Sequence, residues 1–597
     1  MRRRDTLALP AALALPTARV AEGAKVLRYA FQVAETGFDP PQVSDLYSRI
    51  ITAHIFETPY AYDHLARPAK IVPLTADGMP QVSDDFRTWT IRIRPGIHFA
   101  DDPAFQGRRR ELVAADYVFA FKRFADPVVK SPLWSSMENR YILGLAELRQ
   151  EALARKKGLD YDREIEGLRA LDRYTLQFRL REPRPRFLED LATTDLFGAV
   201  AREVVEAYGE RIAEHPVGTG PFRLAQWRRS SLIVLKRNPG YRERFWHAEP
   251  APDDVEGQAI AARLRGKRLP LIDRVEVSII EEVQPRWLSF LNEQTDLIER
   301  TPAEFIDVAM PGGRLAPNLA RRGIQAERTL QADITMTLYN MDHPVVGGLA
   351  PERVALRRAI NLSVDLQREI RLLRRGLAIP AQSPVLPHLS GYDPDFRSEN
   401  SEYSPAKARA LLDLYGYVDR DGDGWRERPD GSKLVLEMAT QPDQVSRQLT
   451  EMWQKFLAAV QIRVEFKVAK WPENLKAARA GKLMMWGVGS SAAGGDGQGM
   501  LARYYGKQAG QQNISRFRLP AFDALYDRMT VLPDGPERLA LFDQAKRLAI
   551  AYAPYKLHVH RYVVDMAHPW VKGYRRPLFW QEWWHMVDVD RSAQAAH

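Results

Sequence analysis

The stretch that decides the fold is Pro216-Val-Gly-Thr-Gly-Pro-Phe-Arg-Leu-Ala-Gln-Trp227, which is followed by Leu232-Ile-Val-Leu-Lys-Arg-Asn-Pro-Gly-Tyr241. The two glycines and the second proline are typical of a tight turn. The two apolar runs after this turn predict a β-hairpin. The glycine pattern does not match a phosphate-binding loop, because no Lys-Ser or Lys-Thr follows, and a dinucleotide fingerprint needs three spaced glycines before a helix. The stretch therefore predicts a structural hairpin without catalytic groups.

Length and composition indicate a globular protein of several domains. The chain has 597 residues, of which 45% are hydrophobic and 27% are charged, and single cores rarely grow beyond about 250–300 residues. Lys and Arg exceed Asp and Glu by 86 − 76 = 10, but this basic excess is spread along the chain. Because no zinc-finger spacing, RNP pattern or basic heptad region accompanies it, we expect no nucleic-acid partner.

The absence of cysteine excludes several kinds of chemistry. A chain with no Cys has no thiol catalysis, no disulfide bonds and no cysteine metal sites. It also lacks the acylated cysteine that tethers a bacterial lipoprotein, so we expect a protein that is not a lipoprotein.

Residues 1–21 resemble a secretory signal peptide. Met1-Arg-Arg-Arg4 precedes a small apolar run that ends near Ala18, and a cleavage site is expected near Ala21. Asp5 and two prolines interrupt the run. No other segment approaches ~18 consecutive apolar residues, so we expect no membrane span in the mature chain. These features predict a soluble periplasmic protein.

The hairpin stretch resembles one family of proteins, the extracytoplasmic solute-binding proteins of ABC importers in the oligopeptide/dipeptide-binding class (solute-binding protein family 5). The P-x-G-T-G-P-[FY] turn and the R-N-P-x-Y segment of that family stand here in the same order. Further segments resemble family motifs along residues 26–590, including Thr88 to Phe99, Asp172 to Leu180, Val354 to Asp365 and Ser404 to Asp413. The resemblance implies a receptor that delivers a solute to a membrane permease without catalysis.

The fold implied by the resemblance is a two-lobed α/β periplasmic binding protein of class II, cluster C, with an additional inserted domain and mixed β-sheets flanked by helices. Domain I is expected to comprise residues 22–60, 196–329 and 563–597. Domain II, the insertion, is expected at 61–195, and domain III at 330–562. We expect a monomer whose lobes close about the two chain crossings between them.

The resemblance places ligand contacts near the N-terminus and in the inserted domain. Ser44, Asp45 and Leu46 begin a predicted helix and correspond to a segment that faces ligand in the family. Asp45 equally suits the N-terminal end of a helix, where the dipole favours a carboxylate. Trp134 stands at the spacing of a pocket aromatic, and an ordinary core aromatic is an equally good interpretation.

The segment from Leu483 to Gly499 carries the most functional information. In peptide-binding relatives a W-x-x-D motif supplies an aspartate whose carboxylate pairs with the α-ammonium group of the peptide, a strong contact in a low-dielectric cleft. Here Trp486 is present, but Gly489 replaces the acid, with Gly487 and Ser490 beside it. We expect these four residues to line the site. The missing acid favours, as an alternative to a peptide, an opine, oligosaccharide, metal chelate or murein fragment.

Two further segments offer polar groups. The strand predicted over Lys556 to Val564 resembles the family's return strand through the cleft, and it supplies His560 and Arg561 as contacts. His558 and His560 have a spacing that suits a transition metal, but no third ligand lies nearby in the sequence, so ordinary polar cleft residues are the simpler interpretation. Asp496 is an alternative source of the missing carboxylate.

An acidic loop has the spacing of a calcium site. Asp419, Asp421 and Asp423 occupy positions 1, 3 and 5 of an EF-hand loop, with Gly424 at position 6 and Asp430 at position 12. A predicted strand follows in place of the second helix. Two interpretations remain: a structural calcium ion bound by the four aspartates, or a solvated Asp-Gly turn. We expect no other cofactor.

A periplasmic hydrolase is the less favoured alternative to a binding protein. The sequence contains no G-x-S-x-G, H-E-x-x-H or comparable frame for a nucleophile or a catalytic metal. We therefore predict a protein that is not an enzyme.

Overall fold

The computed structural model describes residues 23–492 and 494–591, so the predicted signal peptide over 1–21 lies outside the described residues. The strands are β1 (Val26–Phe31), β2 (Tyr60–Tyr62), β3 (Ile71–Pro73), β4 (Gln81–Val82), β5 (Thr88–Arg92), β6 (Leu168–Ala170), β7 (Thr175–Arg179), β8 (Phe222–Arg228), β9 (Leu232–Arg237), β10 (Arg274–Ile279), β11 (Leu297–Ile298), β12 (Gln325–Leu330), β13 (Asp333–Tyr339), β14 (Ala378–Pro380), β15 (Val435–Thr440), β16 (Arg463–Val468), β17 (Met485–Ser491), β18 (Tyr555–Leu557), β19 (Val559–Ala567), β20 (Val571–Lys572) and β21 (Asp588–Val589).

Helices cover the faces of the sheets that these strands form. They are α1 (Leu46–Ile55), α2 (Ala114–Ala125), α3 (Trp134–Glu138), α4 (Leu145–Arg155), α5 (Phe187–Asp190), α6 (Thr194–Phe197), α7 (Arg202–Tyr208), α8 (Val255–Leu264), α9 (Val283–Leu291), α10 (Ala303–Ala309), α11 (Pro317–Arg321), α12 (Pro351–Ser363), α13 (Leu366–Leu372), α14 (Pro405–Leu414), α15 (Gln444–Ala458), α16 (Trp471–Arg479), α17 (Gln498–Leu501), α18 (Pro520–Val531) and α19 (Pro536–Tyr552). None of the helices in the described part of the chain combines the length and the hydropathy that a bilayer-spanning segment requires.

The strands of the described chain form four larger sheets and two two-stranded sheets, β2-β3 and β20-β21. The hairpin sheet has the order β1-β10-β9-β8, and the insert sheet has the order β4-β5-β7-β6. The lobe sheet has the order β16-β15-β17-β13-β18, with β15 parallel to both of its neighbours and β13 antiparallel to both of its own. The crossing sheet contains β11-β19-β12, with β14 also paired to β19. The predicted combination of mixed sheets and helices is confirmed.

The predicted hairpin is confirmed as β8 and β9, which pair antiparallel from Phe222 opposite Arg237 to Arg228 opposite Leu232. The glycine turn before it lies against the C-terminal end of α1. The backbone N–H of Gly220 donates to the carbonyl of Ile55 at 2.8 Å. A Cβ atom on Gly218 would stand 2.1 Å from that same oxygen. The turn therefore contains glycine because two backbones approach too closely for a side chain.

The segments that match the family motifs at the end of α1 and in the hairpin meet at Glu57. The carboxylate accepts hydrogen bonds from Thr219 Oγ1 at 2.9 Å and from Tyr241 Oη at 3.2 Å. It also forms an ion pair with Arg242, whose Nη1 lies 2.7 Å from Oε2. Glu57 is 3% exposed, so these motifs build a buried scaffold.

Two direct strand-to-strand crossings join the crossing sheet to the lobe sheet within the described chain. The first crossing joins β12 to β13 and the second joins β18 to β19. At the second crossing, the N–H of His558 donates to the carbonyl of Thr335 on β13 at 2.8 Å. The two crossings predicted for a hinge thus lie side by side, while the domain limits given above stay a prediction.

The insert sheet and the lobe sheet have separate hydrophobic cores. Trp89, Phe178 and Phe187 belong to the core packed on the insert sheet. Phe522 and Phe542 belong to a core packed on the lobe sheet. Each body can therefore move while its own apolar side chains stay buried.

Residues 246–270, whose sequence is polar and shows no clear apolar period, contain the helix α8. The side chain of Asp254 accepts a hydrogen bond from the N–H of Gly257 at 3.0 Å and caps this helix. Ala261 and Leu264 pack in one small core with Trp246. Because few side chains of α8 face the core, its apolar period is too short to recognise, and the aspartate cap was the usable signal.

Candidate ligand-binding cleft

Residues predicted to bind ligand lie on β17, a neighbour of β13, and at the start of β19, just after the other neighbour β18. On one side, β17 pairs antiparallel with β13, and Gly489 stands opposite Thr335 while Gly487 stands opposite Thr337. On the other side, the chain that leaves β18 contacts Asp333 at the start of β13. The structure therefore brings together, around the N-terminal half of β13, the predicted residues Gly487, Gly489, Ser490, His560 and Arg561.

The backbone at Gly489 has room for a side chain. Residues directly opposite in an antiparallel pair point to the same face, so Gly489 shares its face with Thr335. The hydroxyl of Thr335 is buried and has no hydrogen-bond partner in the described chain. The nearest atom to a Cβ built on Gly489 is the carbonyl oxygen of Ile334 at 3.9 Å, an ordinary contact distance. The missing acid thus leaves an open position on an exposed part of the strand.

His560 and Arg561 are held by Asp333. Nδ1 of His560 lies 2.7 Å from the backbone oxygen of Asp333, and burial lowers the pKa of His560. Nε of Arg561 donates to Oδ2 of Asp333 at 2.8 Å, and 41% of the arginine side chain remains exposed. Of the two, Arg561 is the one that can still contact a solute.

His558 belongs to a buried polar chain and is not free to bind a metal. Its Nδ1 lies 2.7 Å from Glu369 and its Nε2 lies 3.0 Å from Thr337 Oγ1. Burial opposes ionisation of Glu369, but the charges and hydrogen bonds of His558 and Arg374 outweigh it and lower the pKa of Glu369 to about 2. Both histidines of the predicted metal-binding spacing therefore already have hydrogen-bond partners.

Arg503 was missed by sequence reasoning. Its Nη2 donates to Oγ of Ser490, and no carboxylate within the described ranges forms an ion pair with it, although it is half-buried. Arg503 lies 13 residues beyond Ser490 in a short 3-10 segment, outside every motif that resembles the family. No local pattern marks it, because only the fold brings it to β17.

Trp486 does not form a wall of the cleft, which corrects the expectation. Its ring is fully buried, and Nε1 donates to Gln441 Oε1 at 3.3 Å. Side chains on a strand alternate between its two faces, so one face of β17 carries Trp486, Val488 and Ser490. This face packs on the core of the lobe sheet.

Trp134 lies apart from the residues around β13. Its side chain packs against the core of the insert sheet, and the guanidinium of Arg149 lies 4.9 Å from its ring centre. The core interpretation of Trp134 fits this position.

Ser44, Asp45 and Leu46 lie at the N-terminus of α1. Asp45 is the helix cap: Oδ1 accepts from the N–H of Ser48 at 2.8 Å, and Oδ2 accepts from Thr36 Oγ1 at 2.6 Å. Ser44 and Leu46 are exposed. No hydrogen bond or ion pair in the described residues joins these three to the group around β13, so they lie on a separate element, and their contact with a solute stays a prediction.

Asp496 cannot act as the missing free carboxylate. Nη2 of Arg538 donates to both of its oxygens at 2.8 Å. Nε of Arg186 lies 2.8 Å from Oδ2, and Ser390 Oγ donates to Oδ1 at 2.9 Å. Asp496 is already neutralised by two arginines.

The acidic loop gathers a different set of carboxylates from the predicted one. Oxygens of Asp419, Asp421, Asp423 and Glu427 lie within 4.8 Å of one another. Asp430 is outside this group, because its Oδ1 accepts from the N–H of Ser432 at 3.0 Å and its Oδ2 lies 3.3 Å from Arg428. An all-oxygen set suits calcium, while the ion pair of Asp423 with Arg463 competes for one ligand. Calcium binding stays a prediction, with Glu427 in place of Asp430.

A separate polar cavity of about 200 Å³ lies beyond the C-terminal end of α1. Its lining includes His64, Thr194, Glu582 and His585. Glu582 Oε1, His64 Nδ1 and His585 Nδ1 are buried and have no hydrogen-bond partner in the described chain. A polar space of this size accommodates several water molecules that would serve these groups.

Comparisons with known proteins agree with this arrangement, which has two crossings, a strand with an open glycine position and separate cores. The family described as bacterial extracellular solute-binding proteins, family 5 middle, matches residues 70–512. The chain belongs to this family. It is 25% identical over 565 residues to di/tripeptide-binding protein 2 of Pseudomonas aeruginosa, with 92% of each chain covered. It is 23% identical to heme-binding protein A of Haemophilus influenzae, with 85% of this chain and 83% of the relative covered.

Solved structures confirm the fold of this family 5 protein. The periplasmic binding protein DppA of Helicobacter pylori, associated with an ABC transporter and in complex with the peptide STSA, superposes with a TM-score of 0.68 at 22% identity. The match covers 94% of this chain and 98% of the other. The predicted α/β periplasmic-binding-protein class is therefore correct.

Proposed function

We propose that this family 5 protein is the periplasmic substrate-binding component of an ABC importer, which binds a peptide or peptide-like solute between its lobes and delivers it to the permease. The observation that carries the proposal is the site around β13, where an open, exposed strand position lies directly beside both interlobe crossings. A solute bound there contacts the elements that move when the lobes close, so binding energy favours the closed state. The protein acts as a monomer and without a nucleic-acid partner.

The absence of a carboxylate at Gly489 defines the selectivity that we expect. A free α-ammonium group would gain a strong ion pair from an acid at this position and gains none from glycine. The native protein is therefore expected to bind peptides with a free and with a blocked N-terminus at similar affinity.

The variant Gly489→Asp tests this proposal. The backbone at position 489 is extended and its Cβ position is open, so the substitution fits the fold. We expect calorimetry to show at least about tenfold tighter binding of free-amine peptides, and unchanged binding of their acetylated forms. Gly499→Asp, at an exposed glycine whose Cβ position is also open, is the matched control. Failure of the native protein to capture any peptide would reject the peptide assignment.

A non-peptide solute is the second candidate. Position 489 lacks the acid that would pair with an α-ammonium group, so the site also suits a solute that has no free amine. Native mass spectrometry of the protein purified from its own periplasm would reveal the bound mass and decide between a peptide and an opine, oligosaccharide, metal chelate or murein fragment.

The proposal includes no catalysis. Incubation with isotopically labelled peptides should give stoichiometric capture without products, whereas products that increase with time would indicate a hydrolase.

A further inference from the structure

Arg186 reaches from one body of the protein into another. It directly precedes Phe187, whose ring packs in the core of the insert sheet, 5.1 Å from Phe178 and 5.8 Å from Trp89. The backbone of Arg186 is therefore fixed to the inserted body. Its side chain, only 15% exposed, lies instead among groups that belong to the helices α17 to α19 on the lobe sheet.

The guanidinium of Arg186 caps the C-terminal end of α18. Nη1 donates to the carbonyl of Leu532 at 2.9 Å. Nη2 donates to the carbonyls of Thr530 at 3.0 Å and Met529 at 3.1 Å. The last carbonyls of a helix have no partner within the helix and carry the negative end of its dipole. A cation supplied by another body therefore satisfies groups that α18 cannot satisfy itself.

Asp496 is the second anchor for Arg186. Nε lies 2.8 Å from Oδ2 of Asp496, and Nη2 lies 3.2 Å from Oε1 of Gln498. Arg538, which is 2% exposed, pairs with the same aspartate from within the lobe. When Arg186 withdraws, Asp496 keeps this partner and Arg186 returns to water, so no buried charge is left unpaired. The contact can therefore break and re-form.

The glycine run after β17 accepts the same inserted segment. A Cβ atom on Gly494 would stand 2.7 Å from Oε2 of Glu189, three residues after Arg186, and one on Gly495 would stand 3.6 Å from Oε1. Glycine at position 494 lets α5 approach the loop. The contact with α5 explains the glycine at position 494, which has no role in the proposed solute site.

We propose that Arg186 is a positioning residue for lobe closure, which clamps the inserted body onto α18 and Asp496 and so retains solute that it never touches. The proposal rests on the proposed function, because it assumes that the lobes open and close. It assigns to the inserted domain an active part in closure.

The absence of cysteine allows a direct measurement of closure. Leu153 in α4 and Leu414 in α14 are exposed, and Leu153→Cys with Leu414→Cys creates the only two labelling sites. Single-molecule energy transfer between dyes at these sites reports open and closed populations of the whole protein without added solute. We expect Arg186→Gln to lower the closed-to-open ratio at least about tenfold, since charge-assisted hydrogen bonds are lost.

Arg184→Gln is the matched control. The Arg184 side chain bonds within the inserted body, to the carbonyl of Asn139 at 2.6 Å and to Asp190 at 3.7 Å, so its loss should leave the ratio unchanged. Gly494→Val blocks the same contact from the opposite side and should also favour the open state, which keeps the test valid if Arg186→Gln folds poorly. Unchanged populations in both variants would overturn the proposal.

The experiment separates this proposal from the proposed function. Because the open and closed populations are measured without solute, the effect of Arg186 on closure is detected independently of which solute the protein binds. Peptide capture by the native protein, with populations that do not depend on Arg186, would reject the clamp alone. Dependence on Arg186 with no solute captured would reject the transport role alone.

Discussion

At the scale of single residues, close backbone approach explains the glycines that mark the fold. Gly218 and Gly220 lie against the carbonyl of Ile55, where a Cβ would stand 2.1 Å and 2.6 Å from the oxygen. Neither glycine has a positive φ angle, so conformational freedom is not the reason for them. The constraint is steric and comes from a different segment of the chain.

We predict that Gly218→Ala destabilises the protein by ~1–3 kcal/mol or more, because the added methyl group forces the turn away from α1. Chemical denaturation monitored by tryptophan fluorescence would show the lower midpoint. Gly499→Ala, at an open glycine, should change the midpoint little. Equal midpoints for the two variants would contradict the steric explanation.

Glu582 is predicted to make stability depend on pH. Burial raises its pKa from 4.5 to about 8, against the opposing hydrogen bond from Thr194. The folded state therefore binds more protons than the unfolded state between about pH 4.5 and pH 8, and stability falls as the pH rises through this interval. Glu582→Gln keeps the acceptor for Thr194 and should flatten the dependence of Tm on pH. Glu164→Gln, at an exposed carboxylate, is the control. A dependence of Tm on pH that Glu582→Gln leaves unchanged would refute the assignment.

At the scale of elements, Glu57 connects the end of α1 with the segment after β9. Arg242 has 12% of its side chain exposed and depends on this carboxylate. Because Thr219 lies in the glycine turn and Tyr241 next to Arg242, one side chain fixes the angle between helix and hairpin. The motifs that carry the family resemblance are thus joined by one buried ion pair.

We predict that Glu57→Gln costs ~3–5 kcal/mol, because it leaves the buried guanidinium of Arg242 without a countercharge. Thermal unfolding measures the effect. Glu249→Gln removes an exposed pair with Lys70 and should have little effect, since exposed ion pairs contribute little. A small shift for Glu57→Gln would mean that Arg242 finds another partner.

At the scale of the whole molecule, the closure that we propose involves three bodies. The crossings beside β13 join the lobe sheet to the crossing sheet, and Arg186 and Glu189 join the inserted body to the glycine run. Burial, together with the charges of Asp496 and Asp190, raises the pKa of Glu189 to about 8, while Arg186 opposes this shift and Asp534 adds to it. In the open arrangement that we propose, Glu189 would face water and its pKa would return toward the ordinary value.

We predict that closure takes up a proton at Glu189. Its pKa is higher in the closed state, so the closed fraction should fall as the pH rises from about 4.5 to about 8. Energy transfer in the doubly labelled protein measures this titration. Glu189→Gln should remain closed across the range, and an identical titration in that variant would assign the proton to another group.

The sequence predicted the secondary elements whose signals are local. The hairpin after the glycine turn formed as predicted. Ser404 followed by Pro405 is a local helix-start signal, and Ser404 caps α14, with Oγ accepting from the N–H of Lys407 at 3.3 Å. The residues of the site were harder to predict from the sequence. Trp486 was placed in the cleft by its motif, whereas the alternation of β17 turns its ring into the core.

The sequence alone determined the family, the hairpin after the glycine turn, and the absence of an acid at position 489, because these depend on residue identity and short-range spacing. Only the tertiary structure decided that Asp496 is paired, that Arg503 adjoins Ser490 and that Arg186 caps α18. Each of these contacts joins side chains whose separation in the chain, from 13 to 346 residues, is unrelated to their distance in space. Long-range contacts are set by how separate bodies pack, and no local pattern encodes that packing.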